Sequence, residues 1–323
     1  MPSPAKTAAG AAPIACTPKH LDHDLLTESA RVARTENPVN HPAAIHRLLA
    51  NNPDFAISSE NIAVLTTKYW RGGGCTLTVG FLDNPPVDLR RKILQHMNAW
   101  NASANVTFTE SNVDPKVRIS REPGGYWSYL GTDILLIDKA KQTMNLEGFT
   151  MATPDSEFHR VVRHETGHTL GCPHEHMRAE LIARIDRAKA IDYYRQTQGW
   201  SEDQVIRQVL TPLEDGSLWG TPRPDMDSIM CYQIPGGLTT DGRGIPGGRD
   251  IDPSDYAFMA QVYPKPRAAP VAAGAPEAAA AVASRRRACP DCVEVELAGG
   301  TRVSVHPEAS EEQVRRVFAA LAS

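Results

Sequence analysis

The chain contains no apolar run near the roughly 20 residues that cross a bilayer. No membrane-spanning helix is expected. It has no excess of positive charge: 34 Lys and Arg face 38 Asp and Glu, a formal net charge of -4. That balance leaves no electrostatic footprint for nucleic acid and no attraction to an anionic membrane. Cysteine is sparse, six in 323 residues, so no dense disulfide framework is expected. For most of the six the plainest role is a small buried side chain. Residues 1–20 are rich in Ala and Pro and lack the apolar core of a secretory signal. Internal repeats are absent too. What remains is ordinary for a soluble globular protein, 41% hydrophobic and 22% charged residues. The length allows one sizeable domain with appendages.

Composition and periodicity divide the chain. Residues 1–58 read as an N-terminal extension, with short amphipathic helices at 21–34 and 43–50 interrupted by Pro38, Pro42 and Pro53. Residues 59–264 read as the main domain. Alternating strands are predicted at 75–82, 105–110, 116–121, 126–130 and 133–138. Leu89, Ile93, Met97 and Trp100 recur at helical spacing, which predicts an amphipathic helix over 88–101. Further helices are expected from about Asp155, at 185–196 and at 201–209. Asp252 and Pro253 form a cap-and-proline start for another, ending before Pro264. The fold class is α+β, with helices on a twisted, mostly parallel sheet. Residues 265–287 are an Ala/Pro-rich linker. In 288–323 two alternating runs flank Gly299-Gly300, a hairpin signal, and Ser310 with Gln313 caps a last helix.

The informative stretch is His164-Glu165-Thr166-Gly167-His168-Thr169-Leu170-Gly171-Cys172-Pro173-His174. His164 and His168 are one helical turn apart, so both imidazoles lie on one face. Two such histidines supply half of a tetrahedral zinc site with bonds of about 2.0–2.1 Å. Glu165 lies beside them, placed to take a proton from a water on the metal. Gly171 tolerates the positive φ that ends a helix, and the turn brings round His174 as third ligand. The five-residue core occurs by chance on amphipathic helices. The extension to His174 makes chance a poor explanation, and Zn2+ is the expected cofactor.

These eleven residues match the HExxHxxGxxH pattern and resemble the metzincin peptidases, whose zinc cleft lies between an N-terminal and a C-terminal subdomain. Ser228-Ile-Met-Cys-Tyr232 resembles their methionine turn, with Met230 beneath the metal. Three features are similar to the astacin branch. His174-Glu-His-Met-Arg178 resembles the HExxR continuation, and SIMCY resembles the SxMxY turn. Residues 126–131 resemble the edge strand that borders the cleft and pairs with extended peptide. The resemblance, over about 69–264, implies that Tyr232 is a further zinc ligand or a hydrogen-bond donor to the transition-state oxyanion. It implies that Glu175 receives a new N-terminus after a prosegment is removed; a salt bridge to Arg178 is the plain alternative. Three departures mark a divergent, bacterial-style member. Arg178 is followed by Ala-Glu-Leu, with an Asp-Arg pair only at Asp186-Arg187. Tyr126 stands where a cysteine is usual, and residues 1–60 lack FxGD.

The expected activity is hydrolysis of peptide bonds in proteins by zinc-dependent endopeptidase chemistry, with Glu165 as general base and acid. The expected partner is a protein or peptide substrate, with neither nucleic acid nor membrane, and the chain is expected to be a monomer. The resemblance implies secretion; no signal peptide is visible in residues 1–20, and a cytoplasmic location is the alternative. Residues 1–58 are a candidate prosegment, with Cys16, or Asp22, His23 or Asp24, as a latency ligand. The other class of reading is a catalytically silent zinc protein acting as a binding module, and retention of Glu165 speaks against it. Cys289 and Cys292 read as a local disulfide or two free thiols rather than a four-ligand zinc site.

Overall fold

Alternation of apolar and polar residues sets the sheet. The computed structural model describes residues 16, 19–40, 66–210, 225–266, 293–296 and 302–305. In Cys75–Phe81 (β1), Leu77 and Val79 point into the core while Thr76 stays exposed. Val87–Met97 (α2) buries Leu89, Ile93 and Met97 on one face, and Trp100 extends that face through a 3-10 turn at Asn98–Ala102. Val106–Glu110 (β2), Val117–Ser120 (β3), Tyr126–Ser128 (β4) and Met144–Leu146 (β5) complete the sheet. Its order is β2-β1-β3-β5-β4. All pairs are parallel except β4 with β5, where Tyr126 faces Leu146. This is the mostly parallel α+β sheet read from the sequence, with β4 at its edge.

One expected strand is not formed. Gly131–Leu136, where 133–138 was expected to extend, is a 3-10 helix. Gly131 takes φ +46, and a Cβ there would lie 1.9 Å from the Lys68 carbonyl oxygen. The chain therefore turns, and Thr132 N–H donates to Lys68 O at 3.0 Å instead of to a ladder. Asp-Ile-Leu-Leu-Ile is an apolar run rather than a strict alternation, so it serves a buried turn equally well. The fifth strand is Met144–Leu146, whose three residues are too few to show a period.

Two apolar clusters form. The first gathers Trp70, Leu77, Ile93, Trp100, Phe149 and Phe158 between sheet and helices. The second gathers Ile185, Ile191, Tyr194, Trp200, Ile234 and Ile245, with the Tyr194 and Trp200 rings stacked at 5.2 Å. Each fully buried side chain of this kind contributes about 1.5–3 kcal/mol, which is what fixes the walls of the cleft between them. Arg187–Gln198 (α4) belongs to the second wall, capped by Asp186 and ended by Gly199 in the left-handed region. Pro253–Val262 (α5) starts at Asp252 with a full capping box and Pro at the first position, as its sequence predicts.

The N-terminal helix Leu26–Glu36 (α1) is built into this body. Asn37 donates to Trp70 O at 2.7 Å. Asn40, fully buried, donates to Tyr69 O and Ala33 O and accepts from Tyr69 N and Thr67 Oγ1. Ser29 Oγ donates to the partly buried Asp133 carboxylate. Contacts divide the chain into residues 1–267 and 268–323. In the second unit Val293–Glu296 (β6) and Arg302–Val305 (β7) form the expected antiparallel hairpin. The expected helices at 43–50 and from Ser310, and the Cys289/Cys292 pair, lie outside the described residues.

Candidate metal centre and active site

The metal motif lies on a composite helix, α3 (155–169). Asp155–Glu157 is α-helical, Phe158–Val162 is a π-turn and Arg163–Thr169 is α-helical again. A π-turn widens the helix by one residue, a device frequent beside functional sites. Its Phe158, Val161 and Val162 are buried in the first core. The C-terminal carbonyls of α3, which lack partners within a helix, are met by ring donors. Trp70 Nε1 donates to Thr169 O at 2.8 Å, and the Tyr263 hydroxyl donates to Leu170 O at 2.6 Å. Gly171 then takes φ +98, Cys172 N–H reaches back to Gly167 O, and the chain turns to deliver His174.

His164, His168 and His174 are all buried. His164 Nε2 and His168 Nε2 each lie 3.0 Å from His174 Nε2. His164 Nδ1 sits 2.6 Å from Ile229 O and His168 Nδ1 sits 2.7 Å from Cys172 O. A carbonyl only accepts, so both Nδ1 atoms carry the ring protons and both Nε2 lone pairs face inward. At most one proton, on His174, can lie among three nitrogens pointed at one spot. Such convergence is stable around a cation. Bonds of 2.0–2.1 Å in tetrahedral array imply ligand separations of about 3.3 Å, close to those seen. Burial pushes the His164 imidazole down to about 4 and those of His168 and His174 well below their ordinary value. All three are therefore neutral donors at neutral pH, the form a metal takes.

Glu165 is buried beside them, its carboxyl pushed up to about 8 by burial. The methionine turn is held from below. Ser228 Oγ and Ile229 N–H both donate to Asp255 of α5, at 2.6 and 2.8 Å, and Glu175 N–H donates to Met230 O at 2.9 Å. Met230 Sδ packs so closely on α3 that a Cβ on Gly167 would come within 2.4 Å of it. The Tyr232 ring stacks on buried His176, centroids 4.0 Å apart, and its hydroxyl donates to the main-chain carbonyl of Cys16. Glu175 pairs with Arg178 at 2.5 Å, the salt-bridge alternative.

Cys16 comes to the same point. Its Sγ lies 3.5 Å from His168 Nε2 and 3.5 Å from Glu165 Oε2, and it groups with the three histidines as a fourth ligand atom. The segment that carries it bridges the edge strand in parallel sense, Cys16 to Tyr126 and Lys19 to Tyr129. Lys19 Nζ rests over the Trp127 ring. The four described cysteines, Cys16, Cys75, Cys172 and Cys231, form no disulfide. Asp255 and its grip on the methionine turn escaped the sequence. Asp255 is legible only as part of a helix start, and nothing local says that its carboxylate reaches a turn 26 residues earlier.

The family model described as Astacin (Peptidase family M12A) matches residues 68–235, more than half of the chain. The chain belongs to the astacin family. Zinc is this family's metal, and the donor set described above fits it. The chain is 32% identical over 165 residues to Zinc metalloproteinase nas-27 of Caenorhabditis elegans. That match takes in 50% of this chain and only 35% of the relative, so this chain spans about a third of its length. Among solved structures it is similar to myroilysin, with 32% identity and a TM-score of 0.58. The match covers 62% of this chain and 97% of that one. For an astacin-family chain, the free Cys75 and Cys172 and the tyrosine at 126 mean that the described sheet holds together without a disulfide.

Proposed function

We propose that this astacin-family chain is a zinc-dependent endopeptidase synthesised in a latent form. The observation that carries the reading is the convergence of three imidazole Nε2 atoms with the Glu165 carboxylate at the edge of a cleft of about 240 Å3. Held by His164, His168 and His174, zinc supplies Lewis-acid polarisation of a water and of a scissile carbonyl. Glu165 takes the proton from the attacking water and passes it to the leaving amine, so no acyl-enzyme forms. Tyr232 acts as a donor to the scissile carbonyl oxygen. Its bond to the Cys16 carbonyl supports that role over ligation, because a peptide carbonyl at the cleft already receives its hydroxyl. β4 supplies main-chain pairing for an extended peptide. Secretion and a monomeric state belong to the same reading.

Latency rests on Cys16. A thiolate is a strong zinc ligand, and this one lies where water has to sit. The segment also fills the β4 edge that a substrate needs. The decisive test is cleavage of casein by the purified chain, before and after limited proteolysis, with zinc content measured alongside. Glu165→Gln is expected to keep a full equivalent of zinc and to lose roughly 10²–10⁴-fold in turnover. Full zinc occupancy with no cleavage of any peptide in a library, in either form, would overturn the peptidase reading. Cys16→Ala is expected to raise basal activity at unchanged zinc content. Equal activity of the two forms would remove Cys16 from latency while leaving the peptidase standing.

A further inference from the structure

At the opposite end of α3 from the zinc motif, a second group of ligand atoms meets. His159 Nε2 lies 3.3 Å from Asp155 Oδ2, and His96 Nε2 of α2 lies 3.7 Å from Asp155 Oδ1. The two imidazoles thus approach one carboxylate from its two oxygens. Their rings meet edge to face with centroids 4.9 Å apart. One ligand atom from each of the three residues falls within 4.8 Å of the others. The His159–Asp155 separation equals the roughly 3.3 Å edge of a tetrahedron with bonds of 2.0–2.1 Å, and His96, at 3.7 Å, has a few tenths of an ångström to close. The atoms border an open groove of about 420 Å3, which leaves a fourth position for water.

The surroundings prepare the histidines. His159 Nδ1 lies 2.7 Å from Asp250 Oδ2, a carboxylate that only accepts, so Nδ1 carries a proton and Nε2, beside Asp155, is the nitrogen open to an ion. A carboxylate behind a histidine is the usual support of a metal ligand, fixing the tautomer and raising the donor strength of the other nitrogen. His96 is buried and faces Arg163, His159, Lys92 and Asp155; burial first, then the Arg163 and Lys92 cations, hold its imidazole below its ordinary value against the pull of Asp155. Asp155 and His159 stand four apart on α3, the spacing that gives His164 and His168 their shared face.

We propose that His96, Asp155 and His159 form a second divalent-cation site, suited to zinc or a similar first-row ion, that ties α2 to the start of α3. Two imidazoles and one carboxylate select this class over calcium or magnesium, which prefer all-oxygen shells. Two cations compete for the place. Lys92 Nζ sits 3.0 Å from Asp155 Oδ1, and Arg163 Nε sits 3.3 Å from His96 Nδ1. The bound ion takes over the role of Lys92, which keeps its contact with the Phe158 ring. His96 moves its proton from Nε2 to Nδ1, and Arg163 gives up a long bond while keeping Asp250 at 2.5 Å. The inference does not depend on peptide cleavage.

The test is a zinc titration of the full chain already holding its catalytic equivalent, followed by calorimetry and metal analysis. Cys289→Ser and Cys292→Ser are included so that the tail thiols cannot bind the ion. One further equivalent is expected. His159→Ala and Asp155→Asn should each abolish it while retaining the first equivalent, which shows that the variants fold. Lys92→Gln should tighten it several-fold by removing the competing ammonium. No further equivalent in the parent chain, or one that survives both His159→Ala and Asp155→Asn, overturns the site.

Discussion

At the scale of single residues, the three converging histidines depend on two contacts that have no slack. Gly167 has no side chain because Met230 Sδ and the Trp100 ring occupy the space a Cβ needs, at 2.4 and 3.3 Å. Gly167→Ala should therefore cost about 1–3 kcal/mol in chemical denaturation and weaken zinc retention against a chelator. A variant as stable and as zinc-tight as the parent would show that the methionine turn is free to move. The meeting of the three histidines was legible because their spacing is local: a helical turn from His164 to His168, then one glycine-led reversal to His174. Asp255 was not legible, since its contact with Ser228 and Ile229 is made only when α5 packs beneath the turn. Likewise the sequence places Tyr232 near the metal by resemblance alone. Which way its hydroxyl points follows from the His176 stack and the Cys16 carbonyl.

At the scale of elements, the N-terminal extension has two parts with different attachments. Residues 16 and 19 lie along the β4 edge, whereas α1 and the turn after it are bonded to the irregular segment 67–70. Asn40 completes the main-chain hydrogen bonding of Tyr69 on both sides. Asn40→Ala leaves those buried groups unpaired and should cost about 1–3 kcal/mol, read as a lower urea midpoint. An unchanged midpoint would mean that water replaces the amide. The sequence predicts helical character in 21–34 but says nothing of this docking, because Asn37 and Asn40 carry no periodic signal. Strands β1, β2 and β3 were legible from alternation over four or more residues. The turn at Gly131–Leu136 was misread as a strand because an apolar run fits either state, and β5 was missed for its brevity.

At the scale of the whole molecule, acid should act through His96 as well as through the metal ligands. Its folded-state imidazole is held near 4, below the 6.5 of the unfolded chain, by burial first and then by Arg163 and His159, with Asp155 opposing and Lys92 adding. A lowered folded value means that the unfolded state binds the extra proton. The stability contribution is present above 6.5 and is lost as pH falls toward 4. His96→Gln, which cannot take up the proton, should show a shallower loss of stability across that window. Parallel curves for the two proteins would remove His96 from the acid response.

The segment bearing Cys16 is joined to α1 by the nine residues 17–25, and α1 is itself anchored through Ser29, Asn37 and Asn40. A group held on so short a leash meets its target at an effective concentration of about millimolar, whatever the concentration of protein in solution. On the proposed latency, dilution will therefore not free the cleft. A substrate present at micromolar levels competes poorly with a neighbour that never diffuses away. A free peptide copied from residues 14–20 should need near-millimolar doses to silence the Cys16→Ala enzyme to the same degree. The same short leash implies that one cut between residue 19 and α1 would convert the proposed blockade into a dissociable one.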